Sequence, residues 1–257
     1  MTRIVALANQ KGGVGKTTTA INLGASLAAC ERRVLLIDLD PQANATSGMG
    51  LPKDEERSMY PVLVEQLPLR EIIRPTELPT LFLAPSSVDL VGAELELGAT
   101  EHREYRLSIA LKDAVSDFDY VLIDSPPSLG LLTINGLTAA QSVLVPMQCE
   151  YFAIEGIAQL LNTIERVRES LNPNLEIEGI ALTMYDERMN LSRQVAEEVR
   201  SHFGEKVYRT VIPRNVRLGE APSFGKPIIL YDIRSRGSEA YVNLAREFIA
   251  RAENVRA

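Results

Sequence analysis

The chain has 257 residues, 46% of them hydrophobic, so it is long enough to bury a sizeable core. Aromatic residues make up 5% and Trp is absent, which argues against the stacking surfaces that bind single-stranded nucleic acid. The formal net charge is −7, the N-terminus turns polar too early for a signal peptide, and no apolar run could span a membrane, so we expect a cytosolic protein.

Short runs rich in β-branched residues alternate along the chain with amphipathic segments of helical length. The runs predict buried parallel strands at residues 4–8, 34–38, 81–84, 120–124, 143–147, 177–183 and 207–212. The other segments predict helices at residues 20–29, 106–116, 154–171, 192–203 and 238–256. This alternation predicts a doubly wound, mostly parallel α/β sheet with helices on both faces. No linker interrupts it, so we expect residues 1–257 to form a single domain.

A glycine-rich loop joins the first predicted strand to the first predicted helix. It reads Lys11-Gly12-Gly13-Val14-Gly15-Lys16-Thr17-Thr18. Glycines allow backbone N–H groups to turn toward phosphate oxygens, and the helix N-terminus adds its positive dipole end. Lys16 is expected to reach the β- and γ-phosphates of a nucleotide, and the Thr17 hydroxyl to bind Mg²⁺. The sequence therefore predicts a phosphate-binding loop, or P-loop, built from these eight residues.

The loop differs from the standard P-loop pattern at one position. Gln10 stands where that pattern has its first glycine, and an additional lysine, Lys11, opens the loop instead. The string KGGVGKT is the signature of the deviant Walker A ATPases.

Two predicted strands end in carboxylates, at the edge where ligands bind in open α/β sheets. Strand 34–38 ends at Asp38 and is followed closely by Asp40, and strand 120–124 ends at Asp124. Four apolar residues followed by one acid are unusual for a purely structural strand, so we expect Asp124 to hold Mg²⁺ through water. Asp40 either serves the reaction or caps the turn before Pro41.

Residues 186–236 carry ten Lys or Arg against seven Asp or Glu, in a chain that is acidic as a whole. This basic segment is either a functional patch or a set of solvated helix faces. The two cysteines, Cys30 and Cys149, have no neighbours at metal-binding spacing and are expected to be core thiols.

Six segments in order resemble the ParA/Soj family of ATPases, which partition bacterial chromosomes and plasmids. They are KGGVGKTTTAINLG, DLDPQANATSG, DSPPSLGLLTINGL, EYFAIEG, IPRNVRLGEAPS and YDIRSRG. The resemblance covers nearly the whole chain and implies a slow, Mg²⁺-dependent ATP hydrolase that forms a homodimer around ATP. It also implies non-specific binding to double-stranded DNA and a ParB/Spo0J-type partner that stimulates hydrolysis.

The resemblance also assigns roles to individual residues. It implies that Lys11 acts in trans across the dimer interface, and that Asp40 orients the attacking water while Asp38 lies near Mg²⁺. It places Pro213 and Asn215 beside the adenine, although a simple Pro-Arg-Asn turn also explains them.

Two arginines of the basic segment match family positions that contact DNA. Arg188 and Arg217 are therefore the expected DNA contacts, unless they form surface salt bridges with neighbours such as Glu187 or Glu220.

Two related protein classes are alternatives. MinD-type ATPases, which position the division site, carry a C-terminal amphipathic membrane helix, but residues 248–256 hold few bulky apolar side chains. The iron protein of nitrogenase needs cysteine ligands that this chain does not match. We therefore expect no membrane partner and no iron cluster.

Overall fold

A computed structural model describes residues 2–54, 56–150 and 153–254. Its strands are β1 (Arg3–Leu7), β2 (Val34–Asp38), β3 (Arg74–Pro75), β4 (Leu81–Ala84), β5 (Tyr120–Asp124), β6 (Ser142–Gln148) and β7 (Glu176–Thr183). These strands form one sheet in the order β3-β4-β2-β5-β1-β6-β7. All neighbours pair in parallel except β3 and β4, which are antiparallel. The predicted doubly wound, mostly parallel sheet is confirmed.

Helices connect these strands. They are α1 (Lys16–Ala29), α2 (Asn44–Gly48), α3 (Met59–Val64), α4 (Leu90–Glu96), α5 (Arg106–Leu111), α6 (Leu131–Ala139), α7 (Ala153–Ser170), α8 (Asn190–Phe203), α9 (Val216–Glu220), α10 (Ile228–Tyr231) and α11 (Arg236–Asn254). In the part of the chain that the structure describes, no helix is long and apolar enough to cross a membrane.

Alternating strand residues feed two hydrophobic cores, one on each face of the sheet. In β1, Ala6 joins the core built with α3, α5, α6, α7 and α8, whereas Val5 and Leu7 join the core built with α1 and α11. Helix α11 packs on α1, and Tyr241 donates or accepts a hydrogen bond with Thr19 at 3.1 Å. Helix α11, on the same face of the sheet as α1, therefore holds the P-loop helix in place.

The prediction of a strand at residues 207–212 is wrong. Among the described residues, this segment makes one isolated parallel bridge, Val207 with Ile180, and a second isolated bridge joins Pro213 to Tyr185 just after it. Between them, the backbone N–H groups of Arg209 and Thr210 donate to the Glu247 carboxylate of α11, at 2.8 and 2.9 Å. Because Tyr208 and Ile212 donate to β7, the N–H of Thr210 is the donor that a continuous ladder would use, and a side chain from a distant helix takes it.

Several predicted boundaries also change. The helix predicted over 106–116 ends at Leu111, because Lys112 and Ala114 bond in tight turns to Ile109 and Leu111. The predicted helix 20–29 starts earlier, at Lys16, directly from the P-loop. Positions 255–256 of the predicted closing helix lie outside the described residues, as do positions 151–152 of the EYFAIEG segment.

Candidate functional site

The P-loop is fixed to the ends of two neighbouring strands. Asn9 donates from its side chain to the Pro146 carbonyl at 2.8 Å and accepts from the Lys11 backbone N–H at 3.0 Å. Thr183, at the end of β7, donates to the Val14 carbonyl at 2.7 Å. Gly15 adopts a φ of 85°, a left-handed conformation that glycine tolerates without a steric cost. These contacts and the Gly15 conformation fix the shape of the loop.

Lys16 is the buried cation of this site. It is 6% exposed, and its Nζ donates to the Lys11 carbonyl at 3.2 Å. Burial lowers the pKa of the Lys16 ammonium, while the negative charges of Asp124 and Asp40 act to raise it. The ammonium therefore lies inside the loop near two carboxylates. An anionic ligand that displaced water from this position would stabilise the charged form of the ammonium.

Asp38 and Asp124 stand side by side at the carboxyl ends of adjacent strands. They pair in register between β2 and β5, and both are 0% exposed. Asp38 accepts three hydrogen bonds, from the backbone N–H groups of Asp40 and Thr46 and from the Thr46 hydroxyl, at 3.1, 2.8 and 2.7 Å. Burial raises the pKa of Asp38 to about 6, although these bonds oppose the rise.

Asp124 is buried as deeply as Asp38 but lacks comparable partners. Neither of its carboxylate oxygens makes a hydrogen bond of normal geometry to any described residue, although Thr17 lies close enough to lower its pKa. Burial and then the charge of Asp38 raise the pKa of Asp124 well above its usual range. A buried carboxylate with two open acceptors beside Lys16 and Thr17 is the environment that a divalent cation would satisfy.

The donor set fits Mg²⁺ held jointly with a nucleotide. Among the described residues, no three His, Cys, Asp or Glu side chains are placed to hold a metal ion by themselves. Mg²⁺ usually binds through one or two carboxylates, several waters and the phosphates of a substrate. Asp124 and the Thr17 hydroxyl supply that limited set, whereas direct coordination by the engaged Asp38 stays a prediction.

Asp40 occupies a turn and is 7% exposed. Its Oδ1 accepts from the Gln42 N–H at 3.0 Å, and its carbonyl accepts from the Ser86 hydroxyl at 2.7 Å. The capping role considered for this residue is therefore present in the structure. Its proximity to Lys16 also places its charge beside the phosphate loop, so a role in the reaction stays a prediction.

Lys11 pairs with a carboxylate outside the phosphate loop. Its ammonium forms an ion pair with Glu150, just beyond the end of β6, and the two side chains are 39% and 34% exposed. The sequence pattern gave no indication of this partner. In the isolated chain, Glu150 therefore neutralises the lysine that opens the loop.

The two residues expected beside the adenine lie after residues 207–212. Pro213 lines a cavity of about 630 Å³ together with Thr210 and Arg214. The Asn215 side chain caps α9 by accepting from the Arg217 N–H at 2.9 Å. This cap explains the Pro-Arg-Asn turn by structure alone. Contact of Pro213 or Asn215 with a base stays a prediction.

Arg188 and Arg217 are both on the surface. Arg188 pairs with Asp186 at 2.7 Å rather than with Glu187, and Arg217 pairs with Glu220 at 2.8 Å. Arg188 binds both oxygens of Asp186, whose side chain is 13% exposed, and Arg217 also lies 3.5 Å from Asp232. A phosphate would compete with these carboxylates for each guanidinium, so contact of either arginine with DNA stays a prediction.

Sequence reasoning missed the side chains that organise the carboxylate loops. Thr46 bonds to Asp38, and the Thr46 hydroxyl also accepts from the Ser86 N–H at 2.9 Å. Thr46 lies within a polar stretch, but nothing in the sequence marked Ser86. Of the predicted core thiols, Cys149 is buried and Cys30 is half-buried.

Comparison with known proteins gives matches that cover most of the chain. The AAA domain family model matches residues 2–177. The chromosome partitioning protein ParA of Caulobacter vibrioides is 59% identical over 97% of this chain and 94% of its own length. The sporulation initiation inhibitor protein Soj of Bacillus subtilis is 57% identical over 97% and 99%.

A solved structure is also similar. Cobyrinic acid a,c-diamide synthase of Mycobacterium smegmatis, with bound ATP analog and magnesium, superposes with a TM-score of 0.84. It is 41% identical, covering 96% of this chain and 93% of the synthase chain.

Proposed function

Because this chain belongs to the ParA/Soj family of chromosome-partitioning ATPases, we propose that it is an ATP-dependent DNA-segregation switch. Its cofactors are ATP and Mg²⁺, and residues 1–257 act as one ATPase domain. The Mycobacterium smegmatis structure carries the name of a different activity, but its identity of 41% is lower than the 59% and 57% shared with the partition proteins. Partition is therefore the activity that we propose.

The observation that carries the proposal is the open carboxylate of Asp124 beside Lys16. Lys16 is the buried cation that would meet the β- and γ-phosphates, and Thr17 and Asp124 would hold a magnesium ion, which would supply further positive charge to the phosphates. Asp40 orients the water that attacks the γ-phosphate. Backbone N–H groups of residues 12–18 cradle the phosphates, and Pro213 and Asn215 border the adenine.

Lys11 couples hydrolysis to dimerisation. A lysine at the start of such a loop is poorly placed for its own γ-phosphate, and here it is held by Glu150. In a dimer around ATP, Lys11 leaves Glu150 and approaches the phosphates of the second copy. A cation that reaches the transition state only in the assembled dimer makes turnover slow in the monomer, by the same physics as an arginine finger.

DNA binding follows from dimerisation. Each copy brings a weak basic surface, and two such surfaces held together bind a duplex more tightly than one. Arg188 and Arg217 are the proposed phosphate contacts, so binding is non-specific and the ATP-bound dimer resides on the nucleoid in the cytoplasm. A ParB/Spo0J-type centromere-binding protein accelerates hydrolysis and releases it.

Replacement of Lys11 by Ala tests the proposal most directly. We expect Lys11→Ala to bind ATP but to elute as a monomer, and to lose ATP-dependent duplex binding, because the trans cation is absent. The measurements are nucleotide titration, size-exclusion chromatography with ATP and duplex binding. Lys226→Ala, an exposed lysine paired with Glu77, is the control for nucleotide binding and dimerisation. Arg168→Ala, an exposed arginine outside the basic segment and paired with Glu165, is the control for duplex binding.

Two results would contradict this function. An ATP-dependent dimer of Lys11→Ala would remove the trans role of the lysine. A wild-type protein that sediments with lipid vesicles in ATP, and binds no duplex, would replace DNA with a membrane and favour the MinD-type alternative.

A further inference from the structure

Helix α4 has apolar side chains on the face that it turns to solvent. Val88, Val91 and Leu95 are 61%, 61% and 84% exposed. They follow one another at intervals of three and four residues, so they form one stripe along the helix and the turn before it. Isolated exposed apolar residues are common, but a contiguous stripe often marks an interaction surface.

The opposite face of the same helix explains why this stripe is not part of the core. Leu90, Ala93 and Leu97 repeat at the same spacing and are at most 1% exposed. They join the hydrophobic core that includes α3 and fix the rotation of α4. Leu95 therefore cannot turn inward without exposing a core residue, and the outer stripe is a stable property of the fold.

Carboxylates border the stripe on both sides. On a helical projection Glu94 lies on one flank, and Asp89 and Glu96 lie on the other. Glu94 and Glu96 are exposed, and the sequence has no Lys or Arg between Arg74 and Arg103. An apolar stripe between acidic margins matches a partner segment with apolar side chains in the middle and basic ones on its margins.

The stripe is connected to both carboxylate loops of the candidate site. Just before α4, Ser86 donates from its backbone to Thr46 at 2.9 Å and from its hydroxyl to the Asp40 carbonyl at 2.7 Å. Near the other end of α4, Glu94 accepts from the Leu132 N–H at 3.4 Å, at the start of α6. A ligand on the outer face thus contacts an element bonded to the loops after β2 and β5.

We propose that Val88, Val91 and Leu95, with the flanking Asp89, Glu94 and Glu96, bind a short basic amphipathic helix of a partner protein. The bound helix inserts its apolar side chains between the acidic margins, and its Lys or Arg side chains pair with them. Through Ser86 and Glu94, occupancy of this α4 surface shifts the loop of Asp40. This last consequence rests on the proposed ATPase function, whereas binding itself does not.

The test uses a fluorescent peptide of about 15 residues, long enough to form a helix, with Leu on one face and Lys and Arg beside it. Two matched peptides carry Glu in place of the basic residues, or Ser in place of Leu. Binding to the full chain is measured by anisotropy at low and high salt. Of the three peptides, we expect only the basic amphipathic one to bind. Its binding should be weaker at high salt because its charges are screened.

Variants locate the binding surface. Leu95→Ser should weaken binding of the basic peptide by about tenfold, since a large exposed apolar contact is lost. Glu96→Lys should weaken it further at low salt through charge repulsion. Val216→Ser is the matched control, because Val216 is a 76% exposed apolar residue on α9, and it should leave the affinity unchanged.

Three outcomes would overturn the proposal. They are no binding of the basic peptide, equal binding by Leu95→Ser and wild type, and self-association of the peptide-free chain that Leu95→Ser abolishes. The third outcome would make the stripe a contact between copies. ATP turnover is measured in parallel: peptide binding without any turnover would reject the ATPase function and leave the surface intact.

Discussion

The carboxyl edge of the sheet and the basic segment 186–236 both present charged side chains, but the surroundings of these charges differ. Lys16, Asp38 and Asp124 are at most 6% exposed, and their pKa values are shifted by burial. The side chains of Arg188 and Arg217 are 84% and 54% exposed and lie next to carboxylates. No neighbouring residue can replace a buried charge. An exposed charge is screened by solvent, and other exposed charges in the segment contribute to the same binding. Single substitutions should therefore have much larger effects at the sheet edge.

Replacement of Lys16 should give the largest effect. We expect Lys16→Ala to weaken ATP binding by about 10³-fold, because it leaves Asp124 without its cation and removes the charge that meets the phosphates. Isothermal titration of ATP with magnesium measures the loss. Lys226→Ala should bind as wild type does. A Lys16→Ala protein that remains folded by circular dichroism and binds ATP within tenfold of wild type would contradict the assignment.

Replacement of Asp40 separates its two roles. Asp40→Asn keeps an oxygen that can accept from the Gln42 N–H, whereas Asp40→Ala removes it. We expect both variants to bind ATP and to slow hydrolysis by about 10²- to 10³-fold, trapping the dimer. Phosphate release and chromatography provide the measurements. Turnover of Asp40→Asn within a few-fold of wild type would leave Asp40 with only its turn-capping role, and Asp38 would become the candidate.

The buried Asp38 predicts an unusual pH dependence for the nucleotide-free chain. Its pKa is about 6 when folded and near 3.8 when unfolded, so the folded state binds more protons between these values. Stability contributed by Asp38 therefore falls as pH rises from about 4 to about 6, by roughly 3 kcal/mol. Urea unfolding of wild type and Asp38→Asn, without magnesium, measures the difference. A stability gap between the two proteins that does not change across this range would contradict the shift.

The smallest effects are expected in the basic segment. Arg188→Ala or Arg217→Ala should flatten the dependence of log affinity on log salt by about one to two units, because each change removes a contact from both copies of a dimer. Duplex binding is titrated with salt in the Asp40→Ala background. Arg168→Ala, an exposed arginine paired with Glu165 on α7, serves as the control. Unchanged slopes in both variants would place the contacts elsewhere in the segment.

The central strands could be predicted to the residue. Residues 34–38, 81–84 and 120–124 are apolar runs whose ends are marked locally, and they form β2, β4 and β5. Residues 207–212 have a similar pattern, but the Glu247 carboxylate takes the donors of Arg209 and Thr210. That competition comes from a helix nearly forty residues later, so the local sequence cannot show it.

The site was predictable to a similar degree. The P-loop and Asp124 are evident because glycine spacing and a strand-end acid are local patterns. The Ser86 bond to Asp40 and the Lys11 pair with Glu150 join residues far apart in sequence, and only the fold brings them together. The sequence pattern predicted no helix between residues 84 and 106, so α4 and its second apolar face were not anticipated.

The edges of the sheet have a consequence for aggregation. One edge strand, β3, is only two residues long and contains Pro75, which has no N–H to offer to another strand. Near the other edge, the carbonyls of Ile180 and Leu182 already accept from Tyr208 and Ile212 at 2.9 and 2.8 Å. Strand addition between molecules, the route to fibrils, is therefore blocked at these positions. We therefore expect that concentrated samples of the chain do not form fibrils through these two edges.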